Sequence, residues 1–305
     1  MAIAESFAYN RVTTVGDYFA LLKPRVMSLV VFTGLAGIIV APGHVHPLTA
    51  FTALLCIAIA AGASGALNMA YDSDIDGLMS RTATRPIPLG HVAREEALAY
   101  GWALSALSVA MMWLFVNLLA ASLLAFTVFF YVVVYTLWLK RRTPQNIVIG
   151  GLAGALPPAI GWASVTGSLS LAPLVLVAII FIWTPPHFWA LSLWRSEDYA
   201  RAKIPMLPVV KGKPITRRYI MAYSLLLAPL GVLPAFIGLG GMVYLVVSAS
   251  MGFWMILEAF ATWRERDTIK EPSAKRLFAV SLLYIFVPFA ALIVERLLHI
   301  PPLWT

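Results

Sequence analysis

The sequence predicts an all-α membrane protein, a polytopic bundle of nine transmembrane helices in one domain that covers residues 1–305. The first observation is composition: 61% of the residues are hydrophobic, 12% are charged, and the mean hydropathy is +0.85. Soluble domains carry about 45–50% apolar and about 25% charged residues, which excludes a soluble enzyme, a disordered protein and a nucleic-acid-binding domain. The single cysteine, Cys56, excludes a disulfide framework or a zinc cluster.

The second observation is a series of apolar runs. A helix crosses a bilayer with roughly 20 apolar residues, and a helical bundle satisfies its backbone groups inside lipid. The first run is short and is expected to gain a turn from residues 21–25. The nine runs cover residues 26–41, 48–71, 97–117, 118–139, 147–166, 169–194, 219–239, 240–263 and 277–298.

The third observation is the distribution of basic residues. With nine spans, the N-terminus and the loops after spans 2, 4, 6 and 8 share one side, which holds 21 of the 22 Lys and Arg; only Arg296 lies near the other. Because positive loops stay cytoplasmic, we expect a cytoplasmic N-terminus and a periplasmic C-terminus. Glu5 and Asp17 precede the first run, which is atypical of a cleaved signal. A bacterial inner membrane is expected, with a mitochondrial inner membrane as the alternative.

The two longest inner loops contain similar phrases, RPIPLG at residues 85–90 and IPMLPVVKG at residues 204–212. Four spans separate them, which suggests a duplicated four-helix unit, residues 26–139 and 147–263, followed by a ninth helix at residues 277–298. Such a repeat predicts a site between the two halves that faces the cytoplasm.

Three aspartates, Asp72, Asp74 and Asp76, crowd the end of span 2. Carboxylates are disfavoured at a helix C-terminus and repel one another, so the cluster requires compensating positive charge. Asn68, Asp72 and Asp76 follow i, i+4, i+8 spacing on one helical face, and Asp74 points away unless the helix unwinds. Arg81 and Arg85 are candidates for this positive charge, and so is Mg²⁺ shared with phosphate oxygens. The alternative is an ordinary polar helix end with solvated acids.

The segment YTLWLKRRTPQN ends span 4. Lys140, Arg141 and Arg142 are either topology determinants or, for one or two of them, diphosphate ligands. Tyr135 is either an interfacial tyrosine or a polar lining residue. Residues 143–144, Thr-Pro, predict the start of span 5.

The segment FIWTPPHFWALSLWRSEDYARAKIPMLP follows span 5. Pro185 and Pro186 are expected to break or kink span 6. His187 either bonds to backbone carbonyls that the prolines free or contacts a haem, as a ligand or in a porphyrin cleft. Glu197 and Asp198 occupy the same end of span 6 that the three aspartates occupy on span 2. Two acidic helix ends on one face predict a site for a metal and a diphosphate.

These segments resemble a known family. NMAYDSDIDGLMSRTATRPIPLG resembles the Asn-x-x-x-Asp-x-x-x-Asp motif of the UbiA-type intramembrane prenyltransferases, and YTLWLKRRTPQN resembles their Tyr-x-x-x-Lys-Arg-x-Thr segment. WTPPHFWALSLWRSEDYARAKIPMLPVVKG is more specific and resembles the protohaem IX farnesyltransferase (haem O synthase) family. The similarity extends from Lys23 through span 9.

The resemblance implies that Asn68, Asp72, Asp76 and Asp198 together bind Mg²⁺ and diphosphate. The implied Mg²⁺ ligands are Asp72, Asp76 and Asp198. Many family members carry a second aspartate where this chain has Ala202, which leaves the second metal position in doubt. The candidate catalytic residues are Asn68, Asp72, Asp76 and Lys140. The candidate diphosphate ligands are Arg81, Arg85, Arg141, Asp198 and Lys203. The candidate haem and prenyl pocket residues are Tyr135, Trp183, His187 and Trp189.

The implied reaction transfers farnesyl from farnesyl diphosphate to a vinyl group of haem b and yields haem O and diphosphate. Mg²⁺ is the implied cofactor. The protein is expected to lie in the lipid bilayer, and haem A synthase and oxidase assembly proteins are candidate partners. Two alternatives are prenylation of a quinone or chlorin precursor, and haem transport or assembly without catalysis. An ion relay is disfavoured because Glu258 and Glu295 lie near span ends.

Overall fold

The computed structural model describes residues 13–266 and 270–304, and within these ranges its regular structure is entirely helical. Glu5 and Arg11 lie outside the described residues. The helices are α1 (Val15–Leu21), α2 (Pro24–Val40), α3 (Pro47–Tyr71), α4 (Ser73–Asp76), α5 (Arg94–Phe115), α6 (Leu118–Phe129), the π-helix π1 (Phe130–Leu139), α7 (Asn146–Ala155), α8 (Pro157–Thr166), α9 (Leu171–Trp194), α10 (Ser196–Arg201), α11 (Leu207–Val210), α12 (Lys213–Phe236), α13 (Met242–Arg264) and α14 (Pro272–Leu297).

The number of spans agrees with the prediction. Within the described residues, eight spans are long and apolar enough to cross a membrane, and a ninth results if α1 and α2 are counted together. These two helices meet at an angle of 54°. The second of the pair, α2, has 17 residues and is itself short for a span. The predicted all-helical membrane bundle is therefore confirmed.

The helices differ in how deeply they lie in the bundle. Each span has a most apolar stretch, and the share of that stretch that is buried differs between spans. It is 67% in α9, 72% in the span formed by α7 and α8, and 22% in α5. The α5 helix exposes large apolar side chains such as Trp113 and Leu114, as expected for a helix that faces lipid. The interior is thus formed mainly by α3, α7, α8 and α9.

Two glycines allow α2 and α8 to approach closely. A Cβ atom on Gly37 would overlap the backbone of Pro158, and a Cβ atom on Gly161 would overlap the backbone of Gly34. Small residues at a crossing let helix backbones pack without a hydrophobic driving force between them. This crossing secures the first span against the interior.

Two span boundaries predicted from apolar runs were wrong. The α12 helix begins at Lys213 rather than residue 219, and α14 begins at Pro272 rather than residue 277. Both starts carry a proline in the first turn, which suits a helix N-terminus. The arginines and lysines that follow extend the helices because their long side chains are good helix formers outside the apolar core.

The proline-rich parts of the chain also differ from expectation. Of the break or kink expected at Pro185 and Pro186, the break does not occur, because α9 continues from Leu171 to Trp194 with both residues inside. Neighbouring helices can hold a proline-containing helix together in a bundle. Span 5 is instead divided at Leu156 into α7 and α8. Its first helix begins at Asn146, two residues beyond the predicted Thr-Pro start.

Span 4 ends as a π-helix, which the apolar run did not indicate. The hydrogen bonds of π1 join residues five apart, a rare geometry that often occurs at functional sites. Within it, the Thr136 hydroxyl donates to the carbonyl of Tyr131 at 2.9 Å. The helix ends just before Lys140, so its winding decides which way that lysine points.

Candidate active site

The end of α3 separates the three aspartates by burial. Asp72 is the last cap of α3 and leaves helical geometry (φ −97°, ψ 5°), after which α4 adds one more turn. Asn68 is 5% exposed, and Asp72 and Asp76 are fully buried. The side chain of Asp74 is 60% exposed. As the spacing predicts, Asn68, Asp72 and Asp76 lie inside and Asp74 lies outside.

Asp72 is neutralised by a lysine from another span. Its Oδ2 atom forms an ion pair with Lys140 Nζ and accepts a hydrogen bond from Asn68 Nδ2 at 2.7 Å. Arg141 approaches Oδ1 of Asp72 at 3.7 Å. The side chain of Asn146 donates to the carbonyl of Lys140 at 3.3 Å and so steadies the turn after π1. Lys140 therefore reaches Asp72. Its role as a diphosphate ligand stays a prediction.

Asp76 is paired with an arginine from its own loop. The distance between Arg85 Nη1 and Asp76 Oδ2 is 2.5 Å, and the arginine side chain is 16% exposed. Thr82 donates to the backbone carbonyl of Asp76 at 2.7 Å, which folds the loop back over the helix end. A buried carboxylate needs such a partner because desolvation of an unpaired charge is costly.

Asn68 connects these groups to two residues that the sequence did not single out for the site. Its Oδ1 atom accepts a hydrogen bond from Lys23 Nζ at 2.7 Å, and its Nδ2 atom donates to Thr136 Oγ1 at 3.2 Å. Lys23 lies where α1 meets α2 and has a left-handed backbone (φ 52°). Such backbone conformations are common at functional sites. Because this conformation is visible only in the structure, the sequence did not indicate that Lys23 belongs to the site. We call Lys23, Asn68, Asp72, Asp76, Arg85 and Lys140 the acidic cluster.

Two carboxylate oxygens of the acidic cluster remain available. Asp72 Oδ1 and Asp76 Oδ1 are buried and have no hydrogen-bond partner among the described residues. Buried oxygens without donors are rare in proteins, and Mg²⁺ binds carboxylate oxygens. These two atoms fit a magnesium ion. Within residues 13–266 and 270–304, no three His, Cys, Asp or Glu side chains are close enough to share one ion. The role of Asp198 as a further magnesium ligand stays a prediction.

Arg141 binds the exposed aspartate. Its two terminal nitrogens donate to the carboxylate of Asp74, each at 2.7 Å, and one also donates to the carbonyl of Tyr71 at 3.0 Å. The hydrogen bond from Arg141 lowers the pKa of Asp74, and the same pair raises the pKa of Arg141. This pair lies beside the acidic cluster, because Arg141 also approaches Asp72.

The second acidic segment meets the first. Ser80 donates to Asp198 Oδ2 at 2.7 Å, which joins the loop after α3 to α10. Asp198 also pairs with Arg201 and, at 3.5 Å, with Arg195. Burial raises the pKa of Asp198, but the hydrogen bonds from Ser80 and Arg201 outweigh it and leave the pKa below its ordinary value. The two acidic helix ends thus lie on the same end of the bundle, as predicted.

Three other candidates lie around this end. Arg81 and Lys203 are exposed and form no side-chain hydrogen bond or ion pair with any described residue. Tyr135 packs with Tyr199 and Ile147 in an apolar cluster that also covers α4. No described side-chain contact therefore joins Arg81 or Lys203 to the acidic cluster, and Tyr135 lies in the neighbouring apolar cluster.

His187 lies deeper, between α9 and α14. Its ring is 6% exposed and stacks between Trp183 and Phe278, with ring centroids 4.4 Å away on each side. Nδ1 of His187 and the hydroxyl of Ser281 are 2.6 Å apart. Trp183 Nε1 donates to the carbonyl of Ser281 at 2.6 Å. The partner of His187 Nδ1 is thus a hydroxyl on a neighbouring helix, not a carbonyl freed by the prolines.

Trp189 lies on another side of α9. Its ring contacts Tyr219 and Tyr223 of α12 edge to face, at 5.9 and 5.3 Å between centroids. Trp183 and His187 therefore contact each other, whereas the rings of Trp189 and Tyr135 pack against other residues. The structure does not bring the four pocket candidates together.

Comparison with known proteins decides the family. A model of the UbiA prenyltransferase family matches residues 30–287. A protohaem IX farnesyltransferase from Parvibaculum lavamentivorans is 60% identical over 92% of this chain and 89% of that protein. Another, from Azorhizobium caulinodans, is 58% identical over 93% of this chain and 92% of that protein. The chain belongs to the UbiA prenyltransferase family. Both relatives confirm the predicted protohaem IX farnesyltransferase branch.

Solved structures share the fold of this UbiA family member. A structure of digeranylgeranylglyceryl phosphate synthase has a TM-score of 0.76 at 17% identity, covering 92% of this chain and 98% of that one. A UbiA homologue from Archaeoglobus fulgidus, bound to DMAPP and Mg²⁺, has a TM-score of 0.65 at 18% identity, covering 90% and 99%. These comparisons confirm the UbiA fold.

Proposed function

We propose that this UbiA family member transfers the farnesyl group of farnesyl diphosphate to a vinyl group of haem b, and that the diphosphate binds at the acidic cluster. The chain is a haem O synthase by its likeness to the curated protohaem IX farnesyltransferases. The observation that supports the site is the pair of buried carboxylate oxygens without hydrogen-bond partners among the described residues, surrounded by Lys23, Arg85 and Lys140.

The charges of the cluster suit a magnesium diphosphate. Asp72 and Asp76 would hold Mg²⁺, which when bound neutralises the diphosphate and makes it a better leaving group. Lys140 and Arg85 already lie against the same two carboxylates. Once the substrate is bound, their positive charges stabilise the negative charge that develops on the leaving oxygen. Asn68 orients Asp72 through the hydrogen bond between their side chains.

The reaction needs no covalent nucleophile from the protein. The allylic C–O bond breaks and its electron pair leaves with the diphosphate. The π electrons of the haem vinyl group then form the new C–C bond with the farnesyl cation. Water adds to the resulting haem-side cation and loses a proton, which yields the hydroxyl of haem O.

The two ends of the substrates differ in polarity, and so does the protein. The diphosphate meets charged residues, whereas the farnesyl chain requires only apolar helix surfaces, which the bundle offers throughout. The haem is assigned to the neighbourhood of His187 and Trp183, where aromatic rings surround one imidazole. Trp183 could stabilise a nearby cation through its ring face, whereas Trp189 packs against α12.

The membrane and the orientation are also part of the proposal. The protein is an integral, multi-pass membrane protein, and the basic loops are assigned to the cytoplasm of a bacterial inner membrane because they carry nearly all Lys and Arg. The acidic cluster then opens towards the cytoplasm, where farnesyl diphosphate is available. Haem A synthase and oxidase assembly proteins stay candidate partners.

The test compares two aspartates of the same helix end. Asp72→Asn in membranes supplied with haem b, farnesyl diphosphate and Mg²⁺ is expected to lower haem O formation by about 10²–10³-fold, because the buried carboxylate no longer binds cations. The matched control is Asp74→Asn, which changes an exposed carboxylate and should retain most activity. Near-normal haem O formation by Asp72→Asn would refute the assignment of the diphosphate site.

A further inference from the structure

His187 and Ser281 form a pair that the reaction scheme above does not use. They lie on α9 and α14, 94 residues apart in sequence, and both are buried. The imidazole Nδ1 atom has the Ser281 hydroxyl as its partner, and Nε2 has no hydrogen-bond partner among the described residues. Both faces of the ring are covered by Trp183 and Phe278. Only an edge of this imidazole can therefore meet another molecule.

The protons of the pair can be assigned from its neighbours. The hydroxyl of Ser281 has one proton, and its oxygen lies 2.7 Å from the carbonyl of Phe278, to which it donates. The same oxygen must then accept from His187, so the imidazole carries its proton on Nδ1. A neutral imidazole with this tautomer has a free electron pair on Nε2.

We propose that Ser281 is a positioning residue that holds His187 in the Nδ1-protonated tautomer, so that Nε2 coordinates the iron of haem b. The inference rests on the proposed function, in which haem b is the acceptor substrate. Metal-binding histidines usually donate their other ring N–H to a neighbouring acceptor, which fixes the ring and raises its basicity. Here the acceptor is a hydroxyl, and the two stacked rings fix the plane of the imidazole.

This arrangement would anchor the porphyrin at a defined depth. His187 precedes the end of α9 at Trp194 by seven residues, about 10 Å along the helix axis at about 1.5 Å per residue. The α10 helix with Asp198 follows directly and contacts the loop of the acidic cluster through Ser80. An iron ligand at His187 would thus hold the haem on the helix that leads to the diphosphate end.

The test is a titration of the purified full-length chain in detergent with ferric haem b, followed by absorption and electron paramagnetic resonance spectra. The wild type is expected to show a nitrogen ligand from histidine, and His187→Ala should lose it and regain it with added imidazole. Ser281→Ala should weaken haem binding about 10- to 100-fold, as loss of such a partner commonly does. Ser281→Thr keeps a hydroxyl and should retain most of the affinity.

The control is Ser224→Ala. Ser224 is a buried serine of α12 whose hydroxyl donates to the carbonyl of Ile220 in its own helix, so haem spectra and affinity should not change. Unchanged spectrum and affinity in Ser281→Ala would overturn the proposal. A wild-type protein that makes haem O but binds haem without a histidine ligand would also overturn it and leave the proposed function intact. Failure of the wild-type protein to form haem O from haem b, farnesyl diphosphate and Mg²⁺ would instead refute the proposed function.

A second measurement does not depend on the folding of variants. Nitrogen-15 NMR of the wild-type chain with labelled histidines, before haem is added, distinguishes the two tautomers, and the His187→Ala spectrum identifies the signal. Protonation at Nδ1 is expected. A signal from His187 that is protonated at Nε2 would contradict the role assigned to Ser281.

Discussion

The acidic cluster and the His187–Ser281 pair are both buried polar groups, but they are built differently. In the acidic cluster, charges from the α1–α2 junction, α3, the loop after it and the end of π1 meet, and Asp72 has two side-chain partners at one oxygen. The histidine pair has one neutral hydrogen bond and aromatic surroundings. An ionic cluster suits an anionic diphosphate, whereas a neutral imidazole suits a metal inside an apolar ligand.

This comparison implies that the two substrates can be disturbed separately. A variant in the acidic cluster should change the parameters for farnesyl diphosphate and leave the haem spectrum unchanged. Three substitutions test this implication, each with a matched control from the same part of the chain.

Lys140→Met should have the largest effect of the three. It removes the cation that pairs with Asp72, so we expect kcat for haem O formation to fall about 10²–10³-fold. The control is Arg142→Met, since Arg142 is exposed two residues later and forms no side-chain hydrogen bond or ion pair with the rest of the described chain. The measurement is steady-state haem O formation with the haem absorption spectrum alongside. A change of the haem ligand in Lys140→Met would show that the two substrates cannot be disturbed separately.

Lys23→Met should have an intermediate effect. Lys23 donates to Asn68 at 2.7 Å, and loss of this hydrogen bond should raise KM for farnesyl diphosphate about tenfold, equivalent to about 1.4 kcal/mol, because Asn68 is then held less firmly beside Asp72. Arg25→Met changes an exposed cation on the same turn of α2 and should leave KM within error. A rise in the haem dissociation constant with an unchanged KM for farnesyl diphosphate is the contradictory result.

Thr136→Val should have the smallest effect. The substitution keeps the shape of the side chain but removes the hydroxyl that accepts from Asn68 at 3.2 Å, a neutral hydrogen bond worth about 1 kcal/mol, so we expect about a fivefold loss of kcat/KM. Thr127→Val is the control, because that hydroxyl donates only to the carbonyl of Leu123 in its own helix. Equal losses in the two variants would show that Asn68 is positioned by other contacts.

Much of the fold could be predicted because it depends on local composition. The apolar runs located the eight spans of the described residues and also α2, which forms a ninth when it is counted together with α1. The i, i+4, i+8 spacing separated Asp72 and Asp76 from Asp74. The same reasoning misplaced the starts of α12 and α14, because helices continue into charged residues where the apolar run ends. It also expected a break or a kink at Pro185 and Pro186, and α9 continues through both prolines without a break. The duplicated four-helix unit and the roles of the site residues stay predictions.

The site was less accessible to prediction because its contacts join distant parts of the chain. Lys23 and Asn68 are 45 residues apart, Asp72 and Lys140 are 68 apart, and His187 and Ser281 are 94 apart. The residue types of Asn68, Asp72 and Lys140 suggested a diphosphate site, but nothing in the sequence distinguished Lys23 from Arg25. Ser281 gave no signal at all, since a serine inside an apolar span is usually bonded to its own helix.

By itself, then, the sequence determined that this chain is a helical membrane protein, where its apolar helices lie along the chain, and which helix ends carry acids and bases. These properties follow from hydropathy and helical periodicity, which act over neighbouring residues. Only the tertiary structure decided which carboxylate oxygens stay without a donor, which lysine reaches them, and which hydroxyl orients His187. Those outcomes depend on helix packing, and packing brings together side chains whose separation in sequence contains no information about their distance in space.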